Sequence, residues 1–285
     1  DQIAFGPAKR QMASTILRIE LAAPFEEGTT TNPEPTPPEP NVNQKGLIAY
    51  YPFNGNACDE SGNGHGGRVV GATLTADRHG KPDSAYQFKL GSHIKIEGLL
   101  GKPKNVTLAA WVNLDKQQGS MGAEIISMGS YVTIRMDNRQ SINNSGTGGL
   151  IFSGRNFWVH TMAKANYTGT DWHQIVFVFD DDADKQVTFV DGRQMASKQS
   201  PKTIVYEGLG RDTFFGIHGF DDRRFMTHGV IDDIRVYDRA LSAREVKALF
   251  LKEKPVGKLQ AGKEIKVTAV AVLRAKAQAG DPRAQ

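Results

Sequence analysis

Cysteine is almost absent from this sequence, since Cys58 is the single cysteine among 285 residues. An internal disulfide is therefore excluded, and so is a metal cluster built from several thiolates. A lone cysteine without a cysteine–histidine signature around it is more typical of a small core residue than of a nucleophile. Scarce cysteine fits a secreted protein as well as a cytosolic one, so this feature leaves the compartment open.

Several catalytic signatures are missing as well. There is no Glu-x-Asp-x-Glu run, which in sandwich glucanases sets an acid and a nucleophile on one strand. A nucleophile elbow of the type G-x-S-x-G is absent, and none of the seven histidines has H-E-x-x-H spacing. The aspartates at 180, 181, 182 and 184 follow a strand and indicate an acidic turn. The sequence therefore predicts a protein without enzymatic activity.

Neither charge nor hydrophobicity is concentrated in one part of the chain. Lys and Arg number 35 against 31 Asp and Glu, and both signs are mixed along the sequence. Nucleic-acid binding needs a clustered basic face, so no nucleic-acid partner is predicted. No apolar run approaches the ~18 residues of a membrane-spanning helix, so no transmembrane segment is predicted.

The stretch at residues 229–250 combines a strand with a helix. Asp232 alternates in phase with Ile234 and Val236, which predicts that Asp232 lies on a face that is otherwise core. A buried carboxylate on such a face needs a partner. Ser242 and Glu245 form a capping-box pattern, which predicts a short helix at residues 242–251.

The stretch at residues 46–67 begins with a strand and continues into a turn-rich loop. Residues 54–67 hold five glycines, three asparagines and Asp59. Such a loop can supply the oxygen ligands that calcium prefers. The same residues also suit a surface turn closed by its own hydrogen bonds, and the residue pattern leaves both interpretations open.

The remaining segments predict short strands separated by turns, including a hairpin about Asp191 and Gly192. This spacing is typical of a β-sandwich. Four ordered blocks, YYPFNGNACDESGNGHGG, ADRHGKPDSAYQF, LAAWVNL and GVIDDIRVYDRALSAREVKALF, resemble the laminin-G-like (concanavalin A-like) jelly-roll modules of bacterial surface proteins. The resemblance covers residues 46–250. It implies an all-β, two-sheet antiparallel jelly-roll sandwich whose first and last strands are neighbours.

The same resemblance carries expectations about binding. Members often bind glycans or proteins, often with structural calcium, and are rarely enzymes. By this likeness, Asp59, Asn63 and Asp232 are the expected calcium ligands.

Aromatic and polar residues in or near loops are the candidates for ligand binding. They are Trp158, Tyr167, Phe220 and Arg224. Trp111 and Trp172 lie in strand patterns and are assigned to the core, whereas Trp158 fits the core as well as a binding site.

Composition divides the chain into four parts. We predict an arm at residues 1–25, a Pro/Thr-rich linker at 26–45, the sandwich at 46–252 and a strand-like extension at 253–285. Strands are expected at 14–22, where a helix is the alternative, and at 264–276. Strands beyond a complete sandwich need a partner, so we expect them to pair with each other or with a second copy of the chain.

Two compatible functions follow. In the first, the chain is a non-enzymatic structural subunit of a surface fibre or sheath, which displays its jelly roll and assembles through its terminal arms. In the alternative, it is a secreted, monomeric module that binds a carbohydrate or a protein with structural calcium. Both place it outside the cell or at the cell surface, with a glycan or a surface protein as partner.

Overall fold

The computed structural model describes residues 44–139, 146–155, 157–220 and 222–255. Outside these residues lie the predicted strands at 14–22 and 264–276 and nearly all of the predicted linker.

The described residues form 15 strands, a short 3₁₀ helix at Arg223–Phe225 and one α-helix, α1 (Ala243–Glu253). The strands are β1 (Leu47–Tyr51), β2 (Gly67–Val70), β3 (Thr73–Thr75), β4 (Ala85–Phe88), β5 (His93–Ile96), β6 (Val106–Leu114), β7 (Gly122–Met128), β8 (Val132–Asp137), β9 (Gly146–Phe152), β10 (Trp158–Ala163), β11 (His173–Asp180), β12 (Lys185–Val190), β13 (Arg193–Gln199), β14 (Thr213–Phe215) and β15 (Gly229–Tyr237).

The strands form two antiparallel sheets. The first sheet has eight strands in the order β13-β12-β11-β6-β15-β4-β3, with β1 also paired to β15, and the second has seven in the order β10-β9-β8-β7-β14-β5-β2. β1 and β15 lie side by side, with Leu47 opposite Tyr237 and Tyr51 opposite Ile234. The predicted two-sheet jelly-roll sandwich with one short helix is confirmed.

The main hydrophobic core lies between the two sheets. Its largest side chains are aromatic, and Tyr51 and Phe215 meet edge to face with ring centroids 4.9 Å apart. Burial of a large apolar side chain stabilises the fold by roughly 1.5–3 kcal/mol. Trp111 is buried as predicted, whereas Trp172 is only half-buried because it precedes β11.

A second, smaller core lies on the outer side of the first sheet, beneath α1. Val176 and Val178 of β11 pack there with Val246 and Leu249 of the helix. β11 is covered on both faces, which explains its continuous apolar sequence. Ser242 caps the helix in the predicted capping box with Glu245. No helix among the described residues is long and apolar enough to span a membrane.

A β-bulge in β15 overturns one prediction. The pairing of β15 with β6 shifts between Asp232 and Arg235, and Asp233 has a φ of 49°. Because the bulge adds a residue, Ile234 and Val236 face the inter-sheet core while Asp232 lies beside Trp111 on the helix side. The prediction that Asp232 shares a face with those two residues is therefore wrong.

Candidate functional site

The loop with the predicted ligands Asp59 and Asn63 is closed by its own hydrogen bonds. Asp59 Oδ1 accepts from the backbone nitrogens of Tyr50 (3.0 Å) and Ser61 (2.9 Å), and Oδ2 accepts from His65 N (3.0 Å). Burial opposes ionisation of Asp59, but these hydrogen bonds outweigh it and lower the pKa of the carboxyl. Asn63 Nδ2 donates to a backbone oxygen of β1 at 3.1 Å. Both side chains thus hold the loop against β1.

Asp232, the third predicted ligand, belongs to a different group of side chains. We call Arg78, Asp232, Asp233, Arg235 and Glu253 the buried charge cluster. Arg78 Nη1 contacts Asp232 Oδ2, and Arg78 Nη2 lies 2.5 Å from Asp233 Oδ2. Arg235 Nη1 lies 2.6 Å from Glu253 Oε1, and Nη2 lies 3.5 Å from Asp233 Oδ1. All five side chains are at most 9% exposed.

Neutral side chains complete the buried charge cluster. Tyr50 donates its hydroxyl to Asp233 Oδ1 at 2.8 Å. The indole of Trp111 and the amide of Gln174 both donate to Glu253 Oε2, at 3.0 and 3.2 Å. These bonds satisfy carboxylate oxygens that burial would otherwise leave costly.

Burial and charge act on the two aspartates of the cluster in different proportions. Burial, followed by the neighbouring carboxylate of Asp233, raises the pKa of Asp232 to about 7. Burial also opposes ionisation of Asp233, but the charges of Arg235 and Arg78 outweigh it and lower the pKa of that carboxyl. The cluster therefore favours Asp233 as the more readily ionised member.

The three predicted calcium ligands do not fit one calcium ion. Asp59 and Asn63 hold the first loop, whereas Asp232 is paired with the guanidinium of Arg78. A positive side chain in contact with a carboxylate competes with a metal ion for its lone pairs. Within the part of the chain that the structure describes, no group of three or more His, Cys, Asp or Glu side chains could hold a metal ion. Calcium at another place on the protein stays a prediction.

The four predicted ligand-binding residues lie in three segments. Trp158 begins β10, is 36% exposed, and its ring packs 5.1 Å from that of Phe152. Tyr167 lies between β10 and β11, where its ring is 4.7 Å from the imidazole of His173. These two residues each pack against a local neighbour.

Phe220 and Arg224 share the connection between β14 and β15. Phe220 is 51% exposed, with its ring 5.6 Å from that of His218. The guanidinium of Arg224 is held by both carboxylate oxygens of Asp222, at 2.7–3.2 Å. The hydrogen bond from Arg224 lowers the pKa of Asp222 to about 2. The structure brings these two predicted residues into one loop, but Arg224 already has a partner.

A concavity lined by described residues lies elsewhere, at one end of the sandwich. We call it the end cavity; it has a volume of about 780 Å³. Its walls are the β5–β6 connection, the β13–β14 connection and the turn between β7 and β8. The lining residues are Gly98, Leu99, Gly101, Lys102, Tyr131, Tyr206, Glu207, Gly208, Leu209, Gly210 and Arg211.

Two tyrosines hold the walls of the end cavity together. Tyr206 donates its hydroxyl to the backbone oxygen of Pro103 at 2.9 Å, which joins the two connections. Leu209 N donates to the hydroxyl of Tyr131 at 2.7 Å. The two rings lie with their centroids 5.6 Å apart. Burial raises the pKa of the Tyr206 hydroxyl, so it is a neutral donor at physiological pH.

Charged side chains stand at the rim of the end cavity. Lys102, Glu207 and Arg211 are exposed, and none of them forms an ion pair with another described residue. Lys95, just outside the lining, is in contrast paired with Asp212 at 2.8 Å. The rim therefore offers two cations and one carboxylate for new hydrogen bonds.

None of the four predicted ligand-binding residues lines the end cavity, although the sequence carries a signal for it. Residues 97–102 read EGLLGK and residues 207–211 read EGLGR, so two distant loops share a Glu-Gly-Leu start and a Gly-cation end. Gly98, Gly101 and Gly208 have positive φ values of 85°, 78° and 85°, which glycine adopts without steric cost. Each loop ends in an exposed cation that lines the end cavity, Lys102 in the first and Arg211 in the second.

Comparison with known proteins agrees with this architecture. The family model described as the Concanavalin A-like lectin/glucanases superfamily matches residues 88–247. No curated protein sequence matches the chain.

Solved structures with a similar fold come from several bacterial proteins. Domain 4 of AbnA, an extracellular GH43 arabinanase from Geobacillus stearothermophilus solved with arabinotriose, is 20% identical with a TM-score of 0.57, and the match covers 72% of this chain and 98% of that one. The binding domain of Paraclostridial Mosquitocidal Protein 1 is 15% identical with a TM-score of 0.55, covering 72% and 52% of the two chains. Botulinum neurotoxin type C, whose cell entry depends on interaction with two ganglioside molecules, is 11% identical with a TM-score of 0.53, covering 73% and 51%. The chain thus spans about half the length of the two toxin chains, and at these identities the likeness concerns the fold.

Proposed function

Since this chain belongs to the concanavalin A-like lectin/glucanase superfamily, we propose that it is an extracellular carbohydrate-binding module without catalytic activity. The observation that carries the proposal is the end cavity, with its aromatic wall and its charged rim. We place the glycan-binding site there.

The size and lining of the end cavity suit a short oligosaccharide. Ligand sites in proteins usually enclose roughly 300–1,000 Å³ and combine apolar walls with a few polar groups, and the end cavity measures about 780 Å³. Leu99 and the half-buried ring of Tyr206 offer apolar surface for the C–H face of a sugar ring. Lys102 and Arg211 can donate charge-assisted hydrogen bonds to sugar oxygens, and Glu207 can accept from hydroxyls.

Relatives of the fold support this choice of ligand class. The arabinanase domain is in complex with arabinotriose, and the botulinum neurotoxin depends on gangliosides for cell entry. Both are glycan-containing ligands bound by proteins of similar architecture. For this chain, a glycan is accordingly the partner to test before a protein.

The arrangement of carboxylates supports a binding role over hydrolysis. Glycosidases place two carboxyl groups roughly 5–9.5 Å apart across the bond that is cleaved. Among the lining residues that the structure describes, Glu207 is the one carboxylic acid. Asp232, Asp233 and Glu253 lie close together, but their ion pairs with Arg78 and Arg235 occupy them.

Assembly into a surface fibre or sheath remains a prediction from sequence. The terminal arms that would build it lie outside the described residues. Light scattering of the full chain and of a variant without residues 1–25 and 256–285 tests this prediction. If the chain is a fibre subunit, the full chain should form assemblies of large mass and the variant should not.

Glycan-array binding by the full chain, followed by titration with the best ligand, tests the proposal. We expect Arg211→Ala and Lys102→Ala each to weaken binding roughly tenfold, because a hydrogen bond to a charged group contributes ~1.5–3 kcal/mol. Phe220→Ala is the matched control, since Phe220 is an exposed loop residue away from the lining. Absence of binding to any glycan would contradict the function. Loss of binding in Phe220→Ala, with Arg211→Ala unaffected, would contradict the site.

A further inference from the structure

Three oxygen atoms surround the guanidinium group of Arg78. Asp232 Oδ2 contacts Nη1, Asp233 Oδ2 lies 2.5 Å from Nη2, and the backbone oxygen of Glu253 accepts from Nε at 2.8 Å. Carboxylate and backbone carbonyl oxygens are the ligand types that calcium takes in proteins. The oxygens are thus arranged around a cation, and the cation is a side chain of the protein.

The bulge in β15 is what lets both aspartates reach the same cation. In a regular strand, adjacent side chains point to opposite faces of the sheet. Asp233 adopts a φ of 49°, a left-handed conformation that is unfavourable for a residue with a side chain. The register shift that begins at Asp232 brings both carboxylates to Arg78 on the helix side of the sheet. The unfavourable backbone is explained by the two ion pairs that it permits.

The remaining surroundings of Arg78 suit a guanidinium better than a metal ion. Its Cζ atom lies 4.9 Å from the centroid of the Trp111 ring. An aromatic face attracts an organic cation, but it offers no oxygen to a calcium ion, which takes about six to eight oxygen ligands. The Arg78 side chain is 6% exposed, so it fills the site.

We infer that Arg78 is a built-in counterion that occupies the position predicted for calcium at Asp232, so that this site folds without metal. Removal of the guanidinium would leave Asp232 Oδ2, Asp233 Oδ2 and the backbone oxygen of Glu253 facing one empty space. A cavity of about 320 Å³ lined by Tyr50, Arg78, His79, Asp233, Arg235, Lys252 and Glu253 opens beside them. The vacated position would then bind a divalent cation such as calcium. This inference does not depend on glycan binding.

Thermal unfolding of the full-length protein, in calcium and in a chelator, tests the inference. Wild type and Asp232→Asn should show the same difference in Tm between the two conditions, because calcium at another place on the protein would affect both equally. Arg78→Ala should have a lower Tm in chelator, and calcium should raise that Tm by several degrees, because a ligand that binds only the folded state stabilises it. The double variant Arg78→Ala/Asp232→Asn should lose the response to calcium.

Two results would overturn the inference. One is a chelator-sensitive Tm of wild type that Asp232→Asn abolishes, because a metal would then bind Asp232 despite Arg78. The other is a folded Arg78→Ala protein whose Tm is the same in calcium and in chelator. If Arg78→Ala does not fold, terbium is added to wild type and to Asp232→Asn, and its luminescence is measured with excitation through tryptophan. We expect the signals of wild type and Asp232→Asn to be equal, whereas a signal that Asp232→Asn removes would reject the inference.

Discussion

The buried charge cluster and the end cavity use charged side chains in opposite ways. In the cluster, Arg78 and Arg235 are each paired with carboxylates, and neutral donors such as Trp111 bond to carboxylate oxygens as well. At the end cavity, Lys102 and Arg211 are exposed and form no ion pair with another described residue. Charged side chains that form ion pairs with one another hold elements of a fold together, whereas charged side chains without a partner are available to a ligand.

The two regions also differ in what holds them. The cluster joins three elements, the β3–β4 loop through Arg78, the bulge of β15 and the end of α1 through Glu253. The end cavity is formed by connections whose hydrogen bonds come from two tyrosines and the backbone. Substitutions in the cluster should therefore change stability, and substitutions at the rim should change binding.

The largest expected effect follows from removal of one cation of the cluster. Arg235→Ala would leave the buried carboxylates of Asp233 and Glu253 without this partner, and loss of one member of a buried ion pair destabilises proteins by ~3–5 kcal/mol. Urea unfolding measures the free energy of unfolding. Lys102→Ala is the control and should unfold like wild type. Equal stability of Arg235→Ala and Lys102→Ala would remove the distinction between the two regions.

His160 on β10 lies in neither region and gives the protein a separate response to acid. Burial, together with the charge of Arg135, lowers the pKa of His160 to about 4. The unfolded chain binds this proton below pH ~6.5 and the folded chain only below pH ~4. Stability is therefore lost as the pH falls between these values, by about 2–3 kcal/mol.

Urea unfolding of wild type and His160→Asn across this pH range measures the effect of His160. Toward pH 4, wild type should lose stability relative to His160→Asn, because only wild type carries the titrating imidazole. The acid response that remains in His160→Asn comes from the other titrating groups, which include the carboxylates and His218, whose pKa is also lowered by burial. Parallel pH profiles of the two proteins would contradict the assignment.

A smaller effect is expected from the helix that carries Glu253 into the cluster. Ser242 accepts from Glu245 N at the start of α1, and loss of such a cap costs about 1 kcal/mol. Ser242→Ala should lower the free energy of unfolding by this amount. Ser242→Asp keeps a capping oxygen and should stay near wild type. A Ser242→Ala protein as unstable as Arg235→Ala would mean that the helix end, and not the ion pairs, dominates the cluster.

Much of the fold follows from local sequence. The positive φ values of Asp191 (51°) and Gly192 (69°) match the predicted hairpin turn, and the capping box at Ser242 begins α1 as predicted. Strands, turns and helix caps depend on interactions between residues a few positions apart, so a short stretch of sequence is enough to predict them. The four ordered blocks likewise indicated the jelly roll and the pairing of β1 with β15.

The buried charge cluster and the end cavity are formed by contacts between residues that are distant in sequence. A β-bulge turns Asp232 to the helix side, and its cation comes from Arg78, 154 residues earlier. Tyr131 and Tyr206 meet at the end cavity although 75 positions separate them, which their ring contact records. Periodicity shows which residues can share a face of a regular strand. It does not show where a β-bulge adds a residue, or which side chain from another strand or loop will pair with a given residue. Local sequence therefore specifies the strands, turns and helix of this protein, whereas their packing determines which charges are neutralised and which stay open to a ligand.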